Sequence, residues 1–179
     1  MAYQRRNIIH SLLGTLSGPF TKHESLPVRQ IMQEQLKAFE VERERESLCR
    51  LDLAVRYLAI DSYFGRSSSG WDLYIRMQSN RVGPGYGELS QGRFEALIES
   101  YIENGYDKES EVELGSDLMP IDGMHRLALA LYFGVEEIPC QIRPYKMKIL
   151  YDVPWFESNG FSAEEIRLIL STMEKLCQA

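Results

Sequence analysis

Cysteine is scarce in this chain: 179 residues contain three, Cys49, Cys140 and Cys177. They are odd in number and far apart, which excludes a visible disulfide framework or zinc-ligand spacing and leaves buried free thiols as the reading. Long apolar runs are missing too. No stretch approaches the roughly 18 uninterrupted apolar residues of a membrane span. Near the N-terminus, Arg5-Arg6 precedes Ile8, Ile9, Leu12 and Leu13, but His10, Ser11 and Gly14 break the run and no small-residue cleavage site follows. No signal peptide is read, and a cytoplasmic location is expected. Positive charge is in deficit, with 20 Lys and Arg against 26 Asp and Glu, a formal charge of -6. Nucleic-acid coating relies on Lys and Arg neutralising phosphates, so that role is disfavoured. A small, locally positive pocket is still compatible with this balance.

What is present is a globular composition, with 44% hydrophobic and 26% charged residues, enough to bury one core with an elaboration. Three regions are expected: a helical extension over 1–70, a binding core over 71–145, and a loop and helix packing on it over 146–179. Residues 1–24 read as a short helix or irregular arm. Ser25 and Pro27 suit a helix start, and Ile31, Leu36 and Phe39 keep a rough helical period. The mixed charges of Glu40 to Glu46 read as a solvated face. Leu48, Leu51, Val55, Leu58 and Phe64 restore an apolar stripe, so one long helix or two collinear ones are predicted over 26–64, ending near Gly65. This segment offers a surface for a homodimer or another partner.

The second half has a different rhythm. Trp71 to Met77 alternates like a strand, with Leu73, Ile75 and Met77 on one side. Asn80 to Gly87 reads as a loop. Phe94, Leu97, Ile98, Tyr101 and Ile102 predict a helix stopping at Asn104-Gly105. Glu111 to Leu114 and Leu118 to Ile121 predict two strands around a turn at Gly115-Ser116-Asp117. A helix follows from about Gly123 to Phe133, then a strand from Ile138 to Arg143. Residues 144–160 read as loop, and Ser162-Ala163-Glu164-Glu165 announces a last helix through a capping box. The class expected is α/β (α+β), a small mixed sheet with packed helices.

The chemistry concentrates in Asp122-Gly123-Met124-His125-Arg126. If this run begins a helix after a strand, its first-turn amides lack internal partners and carry the positive end of the helix dipole, which suits an anion. Gly123 lets the anion approach the backbone. Arg126 can set a guanidinium fork against phosphate oxygens, and His125 can donate to phosphate or orient a neighbour. Asp122 suits either a cap or a ligand to magnesium carried in with the phosphates. An ordinary strand-to-helix turn, with His125 and Arg126 at the surface, accounts for the same pentapeptide.

The order of elements around the motif resembles the ParB/sulfiredoxin-like fold family over residues 86–143. Phe94 to Gly105 resembles its helix, Glu111 to Ile121 its strand pair, Asp122 to Ala130 its phosphate-binding turn, and Ile138 to Ile142 its following strand. Members of that family include DNA-partition proteins that bind cytidine triphosphate, sulfiredoxin, and a free serine kinase. Met124 stands where sulfiredoxin has its cysteine, and a thioether cannot serve as that nucleophile. Partition proteins bring a following DNA-binding domain, and the short stretch after Arg143 together with the acidic balance makes that role unexpected here. The resemblance therefore implies the kinase-like branch: an ATP- or ADP-dependent phosphotransferase with Mg2+, acting on a hydroxyl of an amino acid, sugar or polyol. It implies Glu88 as catalytic base, with Asp122 and His125 also catalytic, and Gly123, Met124, His125, Arg126 and Arg81 as nucleotide contacts. Asp122 would be the metal ligand. Glu95, Glu99 and Arg76 are weaker candidates. The alternative is a nucleotide-sensing or partner-binding regulatory module without turnover.

Overall fold

A computed structural model describes residues 21–35, 50–146 and 151–178. Four strands form one sheet: β1 (Lys22–Pro27), β2 (Val112–Leu114), β3 (Pro120–Asp122) and β4 (Glu137–Ile142), in the order β1-β4-β2-β3. β1 runs antiparallel to β4 with Leu26 opposite Ile138, β4 runs parallel to β2 with Val112 opposite Cys140, and β2 and β3 make the expected antiparallel pair. The sheet is mixed and the helices pack on it, so the α+β class holds. A strand nevertheless lies at 22–27, inside the region expected to be a helical extension and across the position expected to start its helix. Helix begins only at Val28 and is described to residue 35. The expected charged face at 40–46 lies outside the described residues.

Six further helices follow: α1 (Asp52–Tyr63), α2 (Gly70–Val82), α3 (Tyr86–Asn104), α4 (Met124–Phe133), α5 (Val153–Ser158) and α6 (Ala163–Gln178). α1 is the central one, packing against α2, α4 and α6. Leu53, Ala54, Val55, Ala59 and Ile60 are fully buried on it. Apolar residues surround most of its circumference, which is the signature of a helix buried on all sides.

The expected strand at 71–77 is instead the first half of α2. Its buried residues are Gly70, Leu73, Tyr74, Met77 and Gln78, spaced at i, i+3, i+4, i+7 and i+8 as a helix requires. The alternation of Leu73, Ile75 and Met77 was coincidental, because Tyr74 is buried where a strand would turn it outward. The expected loop at 80–87 shrinks to the three residues between α2 and α3. Residues 144–160 are not wholly loop either, since α5 forms there with the Asp152 carboxylate accepting from Trp155 N at 2.9 Å.

Other local readings hold. The β2–β3 turn closes as Leu118 N donates to Gly115 O, with Leu118 itself left-handed at φ 59. α6 begins with the reciprocal capping box: Ser162 N donates to Glu165 Oε2 at 2.7 Å, and Glu165 N donates to Ser162 Oγ at 3.3 Å. Cys140 and Cys177 are buried, Cys49 lies outside the described residues, and burial pushes the Cys140 thiol up to about 11. Among the described residues no helix is long and apolar enough to cross a membrane.

Candidate functional site

β3 turns into α4 at Gly123, which takes a left-handed conformation, φ 82 and ψ 18. A side chain there would be doubly penalised: that conformation disfavours a Cβ, and the Cβ would sit 3.1 Å from the Cα of Val112. The turn is therefore pressed against β2 and fixed by it. Behind it, Leu127, Ala128, Leu129 and Ala130 bury the shaft of α4. No side chain among the described residues caps the helix. Asp122 is exposed and does not accept from the first-turn amides, so its expected capping role is not observed. The unsatisfied amides of the first turn thus keep their affinity for an anion.

The two basic residues of the turn diverge. His125 leans toward α2 and α3, where Tyr74 Oη lies 2.7 Å from its Nε2 and 2.8 Å from Ser90 Oγ. The Phe94 ring meets the imidazole edge-on, with centroids 4.5 Å apart. Burial and then the charges of Arg56 and Arg81 hold His125 well below the ordinary histidine range, so the ring is neutral at physiological pH. Arg126 leans the other way. It lines a cavity of about 50 Å³ with Leu97, Ser100, Tyr106 and Asp107. The buried Tyr106 hydroxyl has no hydrogen-bond partner among the described residues, and burial pushes it up to about 12.

A third group adjoins the turn, and it was not singled out from the sequence. Arg50 grips Asp52 bidentately, Nε to Oδ1 and Nη2 to Oδ2 both at 2.7 Å, while its Nη1 donates to the carbonyl of Pro120, the first residue of β3. Arg56 Nη1 donates to the same carboxylate and to the Asp52 carbonyl, both at 2.8 Å. The Arg56 and Asp52 side chains are 2% and 1% exposed. Burial alone would raise the Asp52 carboxyl, but Arg50 and Arg56 outweigh it and hold the group far below the usual carboxylate range. Arg81 adds another positive charge that acts on Asp52, Arg56 and His125. Its guanidinium and that of Arg50 both lie over the ring of Tyr151, at 5.4 and 5.6 Å from the centroid. Three arginines surrounding one carboxylate make this corner electropositive within an acidic protein.

The signal for this cluster was present. Asp52 and Arg56 fall four residues apart, on one face of a helix whose other residues are mostly apolar, which is the spacing of an ion pair.

The remaining expected residues are placed differently. Glu88 stands exposed in the first turn of α3 rather than in a loop. Two positions on, Ser90 is the residue that reaches Tyr74, and a two-residue step on a helix turns Glu88 to roughly the opposite side. Arg76 is committed elsewhere: it pairs with Glu165 and stacks over Phe161 at 4.1 Å. Glu95 accepts from Gln91 within α3. Met124 is buried under the turn. Among the described residues no three His, Cys, Asp or Glu side chains converge on a cation site, so Asp122 is a single carboxylate. That suffices only for magnesium delivered on phosphates, which needs one or two protein carboxylates.

The chain matches no protein-family model, no curated protein and no solved structure.

Proposed function

We propose that the chain binds a nucleotide through its phosphates at the 120–126 turn. The observation that carries this reading is the uncapped start of α4, with His125 and Arg126 in its first turn and the Arg50–Asp52–Arg56 cluster bonded to the strand that leads into it. The backbone donors and dipole at the start of α4, the Arg126 guanidinium in its first turn and the surplus guanidinium charge bonded to β3 each favour a multiply charged oxyanion. A mixed sheet with packed helices is common to many α+β folds, and the resemblance to the ParB/sulfiredoxin-like family rests on the sequence of the turn and its neighbours. From that resemblance follow ATP or ADP with magnesium as ligand and a small hydroxyl compound as phosphoryl acceptor.

A thermal-shift series with ATP and ADP, with and without magnesium, tests the binding claim. Ligand at about 100 times its dissociation constant stabilises the native state by about 2.7 kcal/mol, a measurable rise in midpoint. The rise should disappear in Arg126→Ala. Unchanged midpoints in every nucleotide would remove the reading.

A regulatory module that binds without turnover is the second reading, favoured by the exposure of Glu88 away from the face that holds His125. The two separate on product: a phosphorylated amino acid, sugar or polyol that is lost in Glu88→Gln supports the kinase. Nucleotide binding with no phosphorylated acceptor supports the module.

A further inference from the structure

Away from the 120–126 turn, a cleft of about 550 Å³ opens between α1, the 66–68 segment and α6. That volume lies within the range of small-molecule sites. Tyr57, Leu168 and Leu176 give it apolar walls, and Leu168 is 38% exposed, a large hydrophobic side chain left open to water. Three charged side chains also line it, Asp61, Arg66 and Lys175, so its charge is positive by one. Arg66 and Asp61 do not neutralise each other directly, because Tyr132 stands between them. The Tyr132 hydroxyl donates to Asp61 Oδ1 at 3.1 Å and accepts from Arg66 Nη1 at 2.9 Å. The Arg66 guanidinium is held over the rings of Phe64 and Tyr132, at 5.7 and 5.5 Å from their centroids, and its amide donates to the Asp61 carbonyl at 2.7 Å. Arg66 is therefore fixed in position, and neither it nor Lys175 has a carboxylate partner among the described residues. A cation already held in place costs a ligand little ordering. Burial raises the Tyr57 phenol above its ordinary value, so it keeps its proton and remains a donor.

We infer that this cleft binds a small organic carboxylate, with its carboxylate group against Arg66 and Lys175 and a short apolar or aromatic body against Tyr57, Leu168 and Leu176. The charge selects the class. One surplus positive charge is answered by one carboxylate, whereas a phosphate dianion would leave negative charge in excess beside Asp61. A guanidinium fork matches the two carboxylate oxygens, and covering Leu168 removes apolar surface from water. The inference goes beyond the phosphate site and does not depend on it. Tyr132, which orients Arg66, lies near the C-terminal end of α4, whereas the 120–126 turn lies at its N-terminal end.

The test is a methyl NMR titration of the full chain with phenylacetate, its neutral amide phenylacetamide, acetate and inorganic phosphate, at an ionic strength fixed with sodium chloride. Phenylacetate should move the Leu168 and Leu176 methyl resonances and bind more tightly than the other three. Lys175→Gln should weaken it by about two- to fivefold, as for an exposed ion pair. Arg66→Gln should weaken it by roughly tenfold, the loss of a charge-assisted hydrogen bond. The variant carrying both changes should no longer prefer the acid over the amide. Leucine methyl signals indifferent to saturating phenylacetate, equal affinity for acid and amide in wild type, or a preference that survives both changes overturns the inference. Phosphate that moves the same methyls at lower concentration than phenylacetate overturns the carboxylate as ligand. Saturating ATP should leave the affinity for phenylacetate unchanged, and displacement by ATP would put the acid at the turn and remove the separate site.

Discussion

The hydroxyl of Tyr74 lies 2.7 Å from Nε2 of His125, and through it the first turn of α4 is tied to Ser90 on α3. One phenol therefore sets the orientation of the imidazole from behind. Tyr74→Phe keeps the ring packing against Phe94 and deletes this link, leaving Nε2 and Ser90 Oγ without their partner. The expected loss is about 1–2 kcal/mol in chemical denaturation. In the nitrogen spectrum of His125, the Nε2 signal should move far more than Nδ1. An unaltered Nε2 signal would deny the hydrogen bond.

Acid should weaken the fold in two stages. His125 is held below its ordinary value. The unfolded chain therefore takes up a proton near pH ~6.5 that the native state refuses, and stability declines as the pH falls from there. Asp52 is likewise held low. Its ion pairs contribute fully above about pH 4, where the unfolded carboxyl is ionised, and that contribution is lost as the pH falls further. Thermal midpoints measured from pH 8 to pH 3 should show both declines, with His125→Gln flattening the first. A midpoint constant between pH 7 and 5 in wild type contradicts the histidine assignment.

Removing the carboxylate at the centre of the arginine cluster should be severe. Asp52→Asn leaves Arg50 and Arg56 facing each other without compensation, at a cost of about 3–5 kcal/mol. Adding Arg56→Met to it should return part of that loss, because one buried charge then disappears with its partner. A double variant no more stable than Asp52→Asn would show that the charges are answered elsewhere.

Two left-handed glycines at the ends of α4 provide a controlled comparison. Gly134, φ 68, has no heavy atom within 4 Å of an added Cβ, whereas Gly123, φ 82, has the Val112 backbone at 3.1 Å. Gly134→Ala should cost about 1–2 kcal/mol of conformational strain. Gly123→Ala should cost more, since β2 must also shift, and it should weaken nucleotide binding while Gly134→Ala leaves it intact. Denaturation and titration of the pair decide the matter.

At the start of α6, Ser162 and Glu165 have unequal duties. Ser162→Ala removes one amide acceptor, typically about 1 kcal/mol. Glu165→Ala removes the reciprocal acceptor and the partner of Arg76. It should therefore be the more destabilising of the two, and equal midpoints would assign no stability to the Arg76 pair.

Features set by neighbouring residues were legible in the sequence. α4 was readable because an apolar shaft lies between Gly123 and Gly134, and the α6 cap because Ser162 and Glu165 are three apart. α2 was misread because period two and period four coincide over Leu73 and Met77, and only the burial of Tyr74 separates them. β1 escaped for a different reason. Its partner is β4, more than a hundred residues away, and pairing at that distance leaves no local trace. The turn itself was legible, but Asp52 and Arg56 sit between the apolar residues of α1, and their bond to β3 through Arg50 joins positions about 70 residues apart that leave no local trace.

The pairing of Leu26 with Ile138 also orders events in time. During synthesis β1 emerges more than a hundred residues ahead of β4, so its backbone donors and acceptors wait for that partner until β4 leaves the ribosome. The loop to be closed is long, and non-local pairing of this kind slows folding. Growing chains halted before Glu137 should therefore have β1 accessible to proteases, and chains extended past Ile142 should protect it.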